Sequence, residues 1–164
     1  MSYIMKVVEG AGYSVLSPGV LVPKLLTPLG VLGSKKPAER DYEDISLGKK
    51  VLESLGKFDV GQAVIVENFN VLGIEGAEGT DELILRCAKL KREKRRGVLV
   101  KMKKICQSGK VDLPVIGIQT VENVYKSGFK GIALEATASL IVEIEKVVKL
   151  ANKYKIVIIG IDSV

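Results

Sequence analysis

Two short stretches hold the residue types that a phosphate-handling site needs. Glu78-Gly79-Thr80-Asp81 stands where a strand pattern hands over to a helical one. The first-turn amides of a helix can hold phosphate oxygens, and a glycine before them lets a ligand approach the backbone. Thr80 is expected to be the N-cap, and Asp81 is placed to hold a hard cation that touches the same oxygens. Plain capping is the competing reading, because acids in a first turn complement the helix dipole without any ligand. The second stretch, 101–114, reads KMKKICQSGKVDLP and sets Lys101, Lys104 and Lys110 around one acid, Asp112. A carboxylate among lysines is expected to stay ionised, able to bind Mg²⁺ or activate a water, while the lysines neutralise a phosphate. A surface ion-pair cluster of little energetic weight is the alternative there. Gly61-Gln62 and Glu135 are weaker candidates.

Composition narrows the chemistry. The chain has 164 residues, 47% hydrophobic and 27% charged, with a net charge of +6. That suits one globular domain with a real core. There is no His, which removes His-based triads, His general bases and His-containing zinc sites. Two cysteines, Cys87 and Cys106, are too few for a zinc knuckle or a disulfide framework and suit a reducing, cytoplasmic setting. No run reaches the roughly 18 apolar residues that cross a bilayer. Charge is concentrated: eleven of the Lys and Arg residues and a single acid, Glu93, fall between 86 and 110. This basic region reads either as a solvated face ending a helix or as an anion-binding patch, and without aromatics it offers bases no stacking platform. Nucleic acid is not expected as a partner; transient contact with an inner-membrane surface is.

The elements that must position these residues follow from periodicity. Residues 1–12 read as the end of a helix stopped by Gly10 and Gly12, and 13–33 as an apolar, Pro-punctuated connector. Spacing of Ile45, Gly48, Leu52 and Leu55 predicts a helix over 37–55. Strands at 62–68 and 71–76 should form a hairpin turning at Phe69-Asn70. A helix over 80–91, a strand at 97–102 and a helix over 120–126 come next. Strands at 131–136 and 139–143, a helix around 144–151 and a buried strand at 156–161 complete the pattern. Alternating strands and helices with an internal hairpin predict a three-layer α/β/α domain with a mixed β-sheet.

Seven motifs in order, DISLGKKV (44–51), DVGQAVIVE (59–67), EGTDELILR (78–86), GVLVK (97–101), DLPVIG (112–117), TVE (120–122) and GIALEA (131–136), resemble the LpxI family. Its members are UDP-2,3-diacylglucosamine pyrophosphatases of lipid A biosynthesis. The resemblance implies Mg²⁺-dependent hydrolysis, with Mn²⁺ as another hard cation, of UDP-2,3-diacylglucosamine to UMP and lipid X. It covers roughly 30–161, the family's C-terminal domain, so 34–164 is expected to be the catalytic domain. Residues 1–33 would then be the last helix and linker of a separate N-terminal domain that shares the site. By motif, Asp112 is the expected essential carboxylate and, with Asp81, a catalytic and metal residue. Glu78, Gly79, Thr80, Gln62, Lys101, Lys104 and Gln107 are the expected substrate contacts. Two alternatives stay open: an inactive or partner-binding domain of the same family, and an anion- or nucleic-acid-binding module acting through 86–110.

Overall fold

A computed structural model describes residues 7–16, 18–58, 60–104 and 113–163. Eight strands and four longer helices make up the body. The strands are β1 (Gly30–Leu32), β2 (Ala63–Glu67), β3 (Asn70–Ile74), β4 (Val98–Lys101), β5 (Val115–Ile116), β6 (Gly131–Glu135), β7 (Leu140–Ile141) and β8 (Val157–Ile161). The helices are α1 (Glu39–Gly56), α2 (Thr80–Ala88), α3 (Ile118–Lys126) and α4 (Ile144–Tyr154). Six strands form one sheet in the order β1-β8-β6-β4-β2-β3. β4, β6 and β8 run parallel, while β2 is antiparallel to both β3 and β4, and β1 to β8. β5 and β7 pair separately in parallel.

Strand alternation sends successive side chains to opposite faces. Ile65, Leu99, Ile132, Leu134 and Ile158 meet Leu83, Ile84 and Cys87 of α2, Val121 and Val124 of α3, and Val147 and Ala151 of α4. On the other face Ile45 and Leu52 of α1 pack on Val64, Val66, Val98 and Val100. Helices on both faces of a mixed sheet are the expected three-layer architecture. Gly48 lets α1 sit close, since a Cβ there would come within 2.7 Å of the Val100 side chain.

Three local expectations change. The hairpin turns at Asn68-Phe69, both at positive φ (49° and 60°), rather than at Phe69-Asn70. The buried carboxylate of Asp44 on α1 accepts both turn amides, from Asn68 N–H at 3.0 Å and Phe69 N–H at 2.8 Å. α2 ends at Ala88 instead of 91, because Lys91 turns inward to donate to the carbonyls of Arg96 and Gly128, each at 2.7 Å. The apolar connector, finally, ends in a strand: β1 joins the sheet edge, with Val31 opposite Ile159.

Asp44→Ala would leave two amides of a left-handed turn without their acceptor. It is expected to cost about 2 kcal/mol, seen as a fall in melting temperature of several degrees, with Asp44→Asn losing less. An unchanged melting temperature would show that water replaces the carboxylate at no cost.

Candidate functional site

The carboxyl ends of parallel strands are where open α/β sheets bind ligands. At the end of β4 stands Lys101, only 6% exposed. Its ammonium donates to Thr80 Oγ1 at 2.8 Å and to the Val115 carbonyl at 3.3 Å. Thr80 opens α2 and Val115 lies in β5, so Lys101 ties the entrances of two helices together. Thr80 in turn donates to Glu75 Oε1 at 2.5 Å, and Glu75 Oε2 accepts the Gln62 backbone N–H at 2.9 Å. Because β2 runs antiparallel to β4, Gln62 at its start lies at the same edge, its carbonyl accepting the Met102 amide at 3.0 Å. Gly61 takes φ +59°, and a Cβ there would stand 2.3 Å from the Glu75 carbonyl oxygen. Only a glycine keeps this contact without strain.

Thr80 is not the N-cap. Gly79 is, at φ 82°, and no side chain caps the helix. The Thr80 hydroxyl is committed to Glu75 and Lys101, which leaves the first-turn amides of α2 with no partner inside the helix. α3 starts the same way, from Gly117 and without a side-chain cap. Open space lies beside both glycines, since a Cβ on either would meet nothing within 4 Å. Two helix amino ends therefore flank a buried lysine, an arrangement suited to anionic oxygens.

The structure brings Gln62, Gly79, Thr80 and Lys101 together. Glu78 and Asp81 turn elsewhere. Glu78 pairs with Arg86 at 2.8 Å and accepts the Gly76 amide at 3.0 Å; the guanidinium holds its carboxyl below the usual carboxylate range. Asp81 is exposed and accepts from Asn123 of α3 at 2.9 Å. Lys104 is half-buried just beyond β4. Asp112 and Gln107 lie outside the described residues. Among the described residues no three acidic or cysteine side chains converge as a metal centre. Glu75 was missed by sequence reading; its one signal is an acid closing the strand that faces Gln62. Glu135, buried on the α1 side of the sheet, accepts the Lys103 amide at 2.8 Å and so fixes the exit of β4.

Residues 89–96 of the basic region sit at the opposite pole, before β4. Much of it is internal structure. Lys91 reaches Glu67 and lies over the Phe129 ring at 4.5 Å. Arg96 donates to Asn68 at 2.6 Å. Arg95 covers Tyr125, which stacks on Tyr154 at 4.0 Å. These three rings already face a cation or another ring. No helix among the described residues is long and apolar enough to cross a membrane.

The model of the LpxI C-terminal domain matches residues 28–159. The chain is also 33% identical over 160 residues to a Caulobacter vibrioides protein named UDP-2,3-diacylglucosamine pyrophosphatase LpxI. That match takes in 94% of this chain and 57% of the relative, so the chain spans little more than half the length of the curated protein it matches.

Proposed function

Since the chain belongs to the LpxI C-terminal domain family, we propose that it hydrolyses the diphosphate of UDP-2,3-diacylglucosamine, giving UMP and 2,3-diacylglucosamine 1-phosphate. The observation that carries this reading is the pair of side-chain-free helix amino ends, at Gly79 and Gly117, on either side of the buried Lys101. A diphosphate has two charged groups to neutralise, and helix amides with an ammonium do so without protons changing hands. A water oxygen bonds to phosphorus while the bridging P–O bond breaks, and its electrons leave with one phosphate. Asp112 is the proposed carboxylate that takes the water's proton.

The apolar connector supports a place for the lipid part of the substrate. β5 touches Lys101 and pairs with β7, and Leu26 bridges to Leu140 of β7. The connector carrying Leu26 leaves Val20, Leu21 and Leu29 well exposed. Acyl chains laid along these residues would cover an apolar strip that water otherwise wets.

Mg²⁺, or Mn²⁺ in its place, belongs to the proposal, with Asp112 and Asp81 as its expected ligands, as do a cytoplasmic location and transient contact with the inner membrane. UMP release from UDP-2,3-diacylglucosamine is the test. EDTA is expected to stop release and added Mg²⁺ to restore it. Because the relative is longer, the assay is repeated with its remaining portion supplied as a separate polypeptide. Absence of UMP in both arms would overturn the reading.

A further inference from the structure

Among the described residues, Glu75 is the one buried acid at this edge that no motif singled out, and its two oxygens have different duties. One accepts the Thr80 hydroxyl at 2.5 Å and the other the Gln62 amide at 2.9 Å. Thr80 Oγ1 also takes a hydrogen from Lys101 at 2.8 Å. An ammonium can only donate and an ionised carboxylate can only accept. The hydroxyl between them therefore has a single polarity: its proton points at Glu75 and its lone pair at Lys101. The carboxylate thus reaches the ammonium through one hydroxyl and balances its charge where Lys101 has little access to water.

From this geometry we propose that Glu75 is a positioning residue, setting the aim of Lys101 through the Thr80 hydroxyl, and that the relay prepares Lys101 for an anionic oxygen of the substrate. The proposal rests on the reading that this edge takes the diphosphate. Glu75 also holds the Gln62 backbone, whose side-chain Oε1 is buried and has no partner among the described residues. One carboxylate therefore fixes both the cation and an acceptor still open to a ligand donor. An amide at position 75 cannot replace it. Glutamine offers one acceptor and one donor, so either the Gln62 amide or the Thr80 hydroxyl would face an N–H₂ group.

The test uses the full chain with Glu75→Gln, Thr80→Val, their double variant and Thr80→Ser, read in two independent ways. The first needs no substrate: ¹⁵N–¹H spectra of the lysine ammonium groups, with the Lys101 signal assigned by its absence in Lys101→Met. That signal is expected to shift or broaden in Glu75→Gln and Thr80→Val and to return in Thr80→Ser. The second is steady-state UMP release. Glu75→Gln and Thr80→Val are each expected to lower kcat/KM by about 10- to 100-fold, the usual cost of losing an outer partner of a functional group. The double variant should lose no more than the worse single one, and Thr80→Ser should stay near the parent. A Lys101 signal that neither variant moves, or losses that multiply in the double variant, would overturn the relay. If the parent releases no UMP, alone or with the relative's remaining portion supplied, while the signal moves as expected, the relay stands and the assigned reaction falls.

Discussion

Lys101→Met is expected to lower UMP release by about 100-fold or more, the scale of removing one preorganised electrostatic partner from a transition state, while the fold survives. Lys101 lies in β4, its backbone paired with Ala63 on one side and Leu134 on the other. Methionine has nearly the same length and suits a buried site, and those ladder bonds do not depend on the side chain. Removing the ammonium strands the Glu75 carboxylate that balances it, so some loss of stability is expected, yet Thr80 still donates to Glu75 and the strand keeps its ladder. What is lost is the charge between the amino ends of α2 and α3. The paired measurement is kcat beside melting temperature. Turnover within threefold of the parent would remove Lys101 from the machinery. A collapse of the melting temperature would make it a structural lysine instead.

The second large effect lies at the other pole. Glu67 is 2% and Lys91 9% exposed as side chains, with 3.5 Å between the Lys91 ammonium and Glu67 Oε1. Glu67 Oε2 also accepts the Arg92 amide at 3.0 Å, so one carboxylate anchors the start of the basic run. Glu67→Ala would leave a buried ammonium without its counter-charge. Breaking such a pair from one side costs about 3 kcal/mol or more. Burial already pushes the Lys91 ammonium below its ordinary value, and the Glu67 charge works against that shift. In the variant the value should fall further. For a base lowered on folding, the unfolded chain binds more protons at pH values between the two, so stability rises with pH there. Below the folded value both states are charged and the full cost is borne. Glu67→Ala should therefore be weakest near neutral pH, and its gap to the parent should narrow as pH climbs toward the ordinary lysine range. Thermal melts at a series of pH values read this directly. A gap independent of pH would mean that Lys91 does not carry the penalty.

Much of the architecture was legible because it is periodic. The 45-48-52-55 spacing marks the buried stripe of α1, and the apolar runs at 131–135 and 157–161 mark strands covered on both faces. Failures came where one side chain reached across the fold. Asp44 looks like a surface acid on a helix, yet it sets where the hairpin turns. Lys91 belongs by sequence to a charged helix end, yet it folds inward and shortens α2. Gly30–Leu32 has the composition of a connector, and only its pairing with β8 makes it a strand.

The candidate site divides along the same line. Residue type and local order alone determined the layered α/β class, the family resemblance, and Thr80, Lys101 and Gln62 as candidates. The tertiary structure decided which acids serve this edge. Asp81 and Glu78 stand beside Thr80 in the chain, yet they turn to Asn123 and Arg86. Glu75, at the end of a different element, completes the chain to Lys101. A carboxylate's chemistry is written in its residue type, but its partner depends on sheet register and on the seating of α2 over β2 and β3. Those are sums of long-range packing contacts to which no local pattern of residues gives access.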